Sequence, residues 1–181
     1  MKFMIASDLH GSYEFGKLLF ERFDEEQPVK LLLLGDLLYH GARNALPNGY
    51  DTIALTKLLN AHKESILAVR GNCDAEIDQM VLEFPIMSDY LQLYVDGRPW
   101  FVTHGHVYDE HTDFPYEKDT VLLHGHTHVK VMQRIGKIWY MNPGSTSIPK
   151  DGSVHSYMTY EDGVFTIKDI TNGAPLMSYK L

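Results

Sequence analysis

The sequence predicts an α/β fold in which two mixed β-sheets pack face to face with helices outside. Three observations predict it. Apolar runs of strand length recur along the 181 residues, among them Phe3-Met4-Ile5-Ala6, Leu31 to Leu34, Ile66 to Val69, Trp100-Phe101-Val102 and Val121-Leu122-Leu123. In the first half these runs alternate with helical stripes, the β-α-β-α-β order of a parallel sheet with right-handed crossovers. In the second half strands follow one another through tight turns, as antiparallel hairpins do.

Taken in order, Lys2 to Ser7 reads as the first strand. Ser12 is an N-cap signal for a helix reaching Glu26, whose apolar stripe is Phe15, Leu18, Leu19, Phe20 and Phe23. Val29 to Leu34 is the second strand, followed by a polar loop containing His40, Arg43, Asn44 and Pro47-Asn48-Gly49. A helix from Asp51 to Ala61 leads to a third strand, Ser65 to Val69, and a short helix after Asp74 ends before Pro85. The second half offers strands at Tyr90 to Val95, Pro99 to Thr103, Val121 to Leu123, Val129 to Arg134, Ile138 to Met141, Ser156 to Tyr160 and Val164 to Ile170. Asp96-Gly97, Ile135-Gly136-Lys137 and Asp162-Gly163 supply hairpin turns. No linker, repeat or low-complexity segment interrupts the chain, so residues 1–181 are expected to form one domain.

Composition limits the function classes. The chain is 44% hydrophobic and 22% charged, with a formal net charge of −8. A general nucleic-acid binder should be basic, so stable nucleic-acid binding is not expected. A nucleotide-sized anion remains compatible, because bound metals reverse the local sign. No apolar window is long enough to span a bilayer, and the run before Asp8 is too short for a signal peptide. A single cysteine allows no internal disulfide, and a cytoplasmic location is expected.

Each of the five apolar runs ends in metal-ligating residue types: Asp8-Leu9-His10, Gly35-Asp36, Gly71-Asn72-Cys73-Asp74, His104-Gly105-His106, and His124-Gly125-His126-Thr127-His128. Ligands of α/β sheets gather beyond the carboxyl ends of strands. Singly these motifs are weak. Asp-x-His is common and Gly-Asn is an ordinary turn signal. Together they are not: the chain holds three His-x-His pairs among ten histidines, where random spacing gives about half of one. Asp8, His10, Asp36, Asn72, His104, His126 and His128 supply the seven or so ligands that a two-metal hydrolase requires. Carboxylate bridges cations, and imidazole suits Mn, Fe, Zn or Ni. His106 and His124 are left over near the metals and are expected to contact substrate oxygens. His40, His62, His111 and His155 read as surface or loop residues, and the stretches Tyr39 to Tyr50 and Val107 to Tyr116 are expected to frame the entrance.

In this order the motifs resemble the calcineurin-like metallophosphoesterase superfamily. Chain size, the start at Asp8 and the Asn142-Pro143-Gly144-Ser145 segment resemble its small YfcE-like phosphodiesterases, relatives of a retromer scaffold subunit. The resemblance spans essentially the whole chain and implies a four-layer αββα sandwich with a binuclear site. It implies that Asp8, His10 and His128 hold one divalent metal and Asn72, His104 and His126 the other, with Asp36 bridging. Mn2+ is the first expectation; Zn2+, Fe2+ and Ni2+ are the others. Asp74 and the Asn142 to Ser145 turn are expected to support the ligands from behind. Cys73 is a departure. Most relatives carry His there, facing the scissile phosphate as acid or charge stabiliser, whereas a thiol of ordinary pKa is a weak donor. Cys73 therefore either restricts the enzyme to good leaving groups or is a small buried filler.

The expected reaction is hydrolysis of a small phosphodiester by hydroxide formed from a metal-bound water, with charge stabilisation by the ions carrying most of the catalysis. Asn72, Cys73, Asp74 and His104 are the residues expected nearest that chemistry. Two alternatives share the scaffold: a phosphomonoesterase on the same site, and a protein-interaction scaffold with a vestigial site. The filled ligand set favours an enzyme. The resemblance also permits a homo-oligomer.

Overall fold

A computed structural model describes residues 1–181. Strands β1 (Lys2–Ala6), β2 (Lys30–Leu33) and β3 (Ile66–Ala68) pair in parallel, connected through helices α1 (Tyr13–Glu26) and α2 (Thr52–Ala61). Both faces of this sheet are covered, which is why its strands read as unbroken apolar runs. Met4, Ala6, Leu31 and Leu33 point to the helices, where Phe15, Leu19, Leu55 and Leu59 meet them. Phe3, Ile5, Leu32 and Leu34 point the other way, to the second sheet.

That second sheet has five strands in the order β4-β5-β6-β8-β7, where β4 is Tyr90–Val95, β5 Arg98–Thr103, β6 Val121–Leu123, β7 Lys130–Ile135 and β8 Ile138–Pro143. Trp100, Val102, Val121, Leu123, Trp139 and Met141 fill the space between the sheets. Predicted element ends fall within a residue or two of those observed, but the pairing differs in three respects. First, β5-β6 and β6-β8 are parallel, so this sheet is mixed, as the fold class expects, but through crossovers as well as the expected hairpins. Second, the hairpin β9 (Ser156–Glu161) and β10 (Val164–Asp169) returns to the first sheet, pairing antiparallel with β1. Third, β11 (Pro175–Lys180) extends that sheet to six strands and was not expected from the sequence.

The two packed sheets and the helical layer over the six-stranded one agree with the expected sandwich. The outer face of the five-stranded sheet is covered differently. Tyr108, Phe114 and Tyr116, from an irregular segment, pack on Phe101, Leu122 and Tyr140. Ring centroids of 4.7 Å for Phe101–Phe114 and 5.2 Å for Phe101–Tyr116 mark an aromatic cluster. Val107 to Tyr116 thus covers the outer face of this sheet and does not frame the entrance. No helix is long and apolar enough to cross a membrane.

Candidate metal centre

The turns that follow β1, β2, β3, β5 and β6 meet in one crevice, stitched together by backbone hydrogen bonds. The N–H of Asp8 donates to Gly35 O (3.2 Å), that of His10 to Asp36 O (2.9 Å), and that of Gly125 to His104 O (2.9 Å). Close approach explains two glycines. A Cβ on Gly71 would strike the Asp36 backbone and carboxylate, and one on Gly125 would strike Ser7 and lie 2.8 Å from an Asp8 carboxylate oxygen. Asp8, His10, Asp36, His126 and His128 have φ of 58°, 46°, 55°, 65° and 61°. Left-handed backbone costs a non-glycine residue on the order of 1–2 kcal/mol. Five of the seven predicted ligands carry that strain, which aims their side chains inward.

The imidazoles are wired alike. Nδ1 of His10, His104 and His128 faces the carbonyl of Tyr39 (2.9 Å), Leu34 (2.6 Å) and Ile148 (2.7 Å) respectively. A carbonyl only accepts, so Nδ1 carries the proton in each ring and Nε2 presents a lone pair to the crevice. Those Nε2 atoms face further acceptors. His10 Nε2 lies 3.3 Å from His128 Nε2, 3.7 Å from Asp8 Oδ1 and 3.6 Å from Asp36 Oδ2. His128 Nε2 lies 3.3 Å from Asp8 Oδ1, and His104 Nε2 lies 3.5 Å from Asp36 Oδ2 and 3.1 Å from Asn72 Oδ1. Asp8 Oδ1 is fully buried without a hydrogen-bond partner.

Such a cluster of acceptors needs positive charge at its centre. The gaps are too long for charge-assisted hydrogen bonds, which run about 2.7–2.9 Å. They suit pairs of ligands on a shared ion, since two tetrahedral bonds of about 2.1 Å separate their ends by about 3.4 Å. Asp8, His10 and His128 form one group of mutually close ligand atoms, Asp8, Asp36 and His104 a second, and His10, Asp36 and Cys73 a third. The residues present therefore fit divalent metal, with Asp36 between the two imidazole sets. In the metal-free chain protons serve instead. Burial alone would pull His10 and His104 down, but the Asp8 and Asp36 carboxylates outweigh it, raising His10 and bringing His104 to about 9. Burial would conversely raise Asp8 and Asp36; the facing histidines hold Asp8 well below the usual carboxylate range and Asp36 below it.

A model of the calcineurin-like phosphoesterase superfamily domain matches residues 1–162 of this sequence. The chain belongs to that superfamily. It is 41% identical to the phosphodiesterase YfcE of Escherichia coli K12 over 167 residues, covering 92% of this chain and 91% of the relative. The solved structure of the E. coli YfcE phosphoesterase superposes with a TM-score of 0.97 at 38% identity, covering 99% of each chain. Vps29 of Entamoeba histolytica, solved in complex with zinc, shares the fold at a TM-score of 0.62 and 17% identity, covering 100% of this chain and 98% of that one.

Around the predicted ligands of this phosphoesterase, Asp74 is a buried brace. Its carboxylate accepts the backbone N–H groups of Asp36 (2.8 Å), Leu37 (2.8 Å) and Gly71 (2.7 Å), tying the turn after β2 to the turn after β3. It does not face the crevice through a free oxygen. The Asn142 segment braces the other side: Asn142 Nδ2 donates to Gly125 O (2.8 Å) and Thr127 Oγ1 (3.1 Å), and Ser145 Oγ donates to Asp8 O (3.0 Å). Ser147 Oγ adds a second bond to Asp8 O (2.9 Å); sequence alone gave no signal for it. His126 donates its N–H to Asp8 Oδ2 (3.1 Å), and its ring centroid lies 5.1 Å from that of His104. Asn72 is exposed, with Nδ2 3.3 Å from Cys73 Sγ. The Cys73 thiol is pushed up to about 12 by burial and by the Asp36 carboxylate, so it stays neutral.

Some histidines lie elsewhere than expected. His124 is buried against Tyr140, with centroids 4.1 Å apart, and burial brings it down to about 4. It is a neutral core residue and cannot reach substrate. His106 sits half-buried beside His104, at 5.3 Å between centroids. His62 and His155 do lie in loops, as expected, and there they stack on Phe20 (4.0 Å) and Phe15 (3.9 Å) of α1.

The crevice opens into a cleft of about 830 Å³ lined by His10, Asp36, Asn72, Cys73, His126 and His128 and by the loop Tyr39 to Asn44. Tyr50, expected at the entrance, lines an adjoining apolar cavity of about 420 Å³ instead. Arg70 and Lys150 also line the metal cleft; neither stood out in the sequence, because lone cations beside turns are common.

Proposed function

We propose that this chain is a binuclear, metal-dependent phosphodiesterase acting on a small phosphodiester. The observation that carries the reading is the three imidazoles locked by backbone carbonyls with Nε2 turned onto two buried carboxylates. Asp8, His10 and His128 would hold one cation, Asn72, His104 and His126 the other, and Asp36 both. Bound cations, with Mn2+ the first candidate, would offset phosphate charge and lower the pKa of a water toward about 7.

The chain's own residues then have distinct tasks. The tied Nδ1 atoms fix ring orientation, so the ligands need no reorganisation when substrate arrives. Asp74 fixes the spacing between Asp36 and Asn72. Asn72, exposed at the cleft, holds its Oδ1 3.1 Å from His104 Nε2. Cys73 offers a neutral thiol and no acid of useful strength, which favours diesters whose alcohol departs unaided. The lone cysteine supports a reducing, cytoplasmic compartment.

The test is hydrolysis of bis-p-nitrophenyl phosphate by metal-stripped protein with Mn2+ restored, beside p-nitrophenyl phosphate and an Asp36→Asn variant. Metal-dependent diester cleavage, lost in the variant, is expected. Preference for the monoester would make it a phosphatase. Stoichiometric metal binding without turnover of either ester would leave a scaffold with a vestigial site.

A further inference from the structure

The wall of the metal cleft carries more positive charge than a singly charged diester can match. Arg43, Arg70 and Lys150 line it from three separate segments. The ion pairs of Lys2, Arg22, Lys63, Arg134 and Lys168 lie elsewhere, and none of the three cleft cations pairs with a carboxylate. The cleft's two carboxylates are already engaged: Asp36 faces His10 and His104, and Asp74 accepts three backbone N–H groups. In a chain of net charge −8 this local excess runs against the whole.

Each cation is also mounted on the metal crevice. Arg43 rides a turn closed by Asn44 N–H to Gly41 O (3.1 Å) and Asn44 Nδ2 to His40 O (2.9 Å). That turn rests on Cys73, whose Sγ lies 3.1 Å from where a Gly41 Cβ would stand. Arg70 is half-buried directly before Gly71-Asn72, with its backbone N–H on Ser88 O (2.8 Å) and its Nε on Asp74 O (3.5 Å). Lys150 donates its N–H to His128 O (3.3 Å). The cleft, at about 830 Å³, has the size of sites that enclose a drug-sized ligand, about 300–1,000 Å³, and far exceeds one phosphate. Two guanidinium forks and an ammonium are the usual recognisers of phosphate oxygens.

We propose that Arg43, Arg70 and Lys150 form a second anion subsite, and that the substrate is a phosphodiester bearing a further phosphate outside the scissile linkage. The proposal rests on the phosphodiesterase reading. The scissile group would sit at the residues that would hold the metals, while the cation wall sets affinity and orientation through the second phosphate.

The experiment compares binding of adenosine 5′-monophosphate and adenosine 3′,5′-bisphosphate to the Mn2+-loaded full chain by calorimetry, with Mn2+ in excess. The bisphosphate is expected to bind at least about tenfold tighter, one charge-assisted contact's worth. In an Arg43→Ala/Lys150→Ala double variant the preference should shrink below about threefold. Lys137→Ala, in the exposed β7–β8 turn, should keep it. Equal affinities in the unaltered chain, or a preference that survives the double variant, would overturn the subsite. Turnover of bis-p-nitrophenyl phosphate by the same preparations separates the two readings. If turnover persists without a bisphosphate preference, only the subsite fails. If no divalent metal supports turnover, the phosphodiesterase reading fails whatever the binding shows.

Discussion

Cys73 and Asp74 sit side by side after β3 and make opposite predictions. The Cys73 thiol, pushed up to about 12, neither ionises nor donates strongly at neutral pH. Replacing it by a residue able to donate should help only where the leaving alcohol needs a proton. Cys73→His is therefore expected to raise kcat for alkyl diesters by about tenfold or more, general acid catalysis contributing about 10²–10⁴-fold when well placed. For p-nitrophenol diesters it should change little. A flat response across a series of leaving-group pKa would refute an acid-poor site. Asp74 is structural in action. Asp74→Ala would strand three buried N–H donors, at about 1–3 kcal/mol each, so a loss of about 3 kcal/mol or more in urea unfolding is expected. Because these bonds hold Asp36 against Asn72, metal affinity should fall by about 10–100-fold as well, read by calorimetry.

Helix α1 connects local sequence to the sheet it covers. Its N-cap Ser12 accepts the Phe15 N–H (3.3 Å) and donates to Asn48 O (2.6 Å), so Ser12→Ala should cost about 1–2 kcal/mol of unfolding free energy. At the other end Glu26 meets Lys168, Tyr157 (3.0 Å) and Lys2 (3.2 Å). Burial would raise this carboxyl, but the Lys168 and Tyr157 contacts outweigh it and leave it below its ordinary 4.5. A depressed acid stabilises the fold above its unfolded pKa and loses that contribution as pH falls through the folded value. Glu26→Gln should accordingly lower the urea midpoint at about pH 7, by an amount that shrinks as pH falls below its ordinary 4.5; a loss that does not change with pH would remove the ionic account. Such helix signals are local and were legible: the cap, the stripe and the turn glycines predict their elements within two residues. Pairing was less legible. The run from Gly105 to Thr120 is too long for a hairpin, which leaves β6 free to lie parallel to β5. The return of β9 to β1 joins residues more than 150 apart, as with Lys2 and Glu161. β11 is an edge strand exposed along most of its length, so it lacks the alternation of apolar residues that announces a half-buried strand.

At the scale of the whole molecule, two sheets bring five strand ends to one crevice. The candidate site was legible because each predicted ligand follows an apolar run, and the fold brings the ends of those runs together. The phosphoesterase's cation wall was not, because Arg70 and Lys150 gain meaning only from the cleft they share. The same convergence makes metal and fold thermodynamically one system. Cations that bind only the native chain stabilise it by about 2.7 kcal/mol at a hundredfold excess over Kd, or about 5–10 °C in Tm for a chain of this size. The gain must depend on pH. In the metal-free chain His104 titrates at about 9, above its ordinary 6.5. A raised histidine stabilises the metal-free fold fully below about pH 6.5 and loses that contribution as pH rises toward 9. In the metal-loaded chain the same ring is neutral, and proton competition weakens as pH rises. Calorimetric Tm measured with Mn2+ and with chelator should therefore diverge between about pH 6 and about pH 8, and the divergence should shrink in His104→Ala, with His10, also raised, supplying the remainder. A constant gap in the unaltered chain would remove His104 from the ligand set and leave its pairing with Asp36 as a purely structural ion pair.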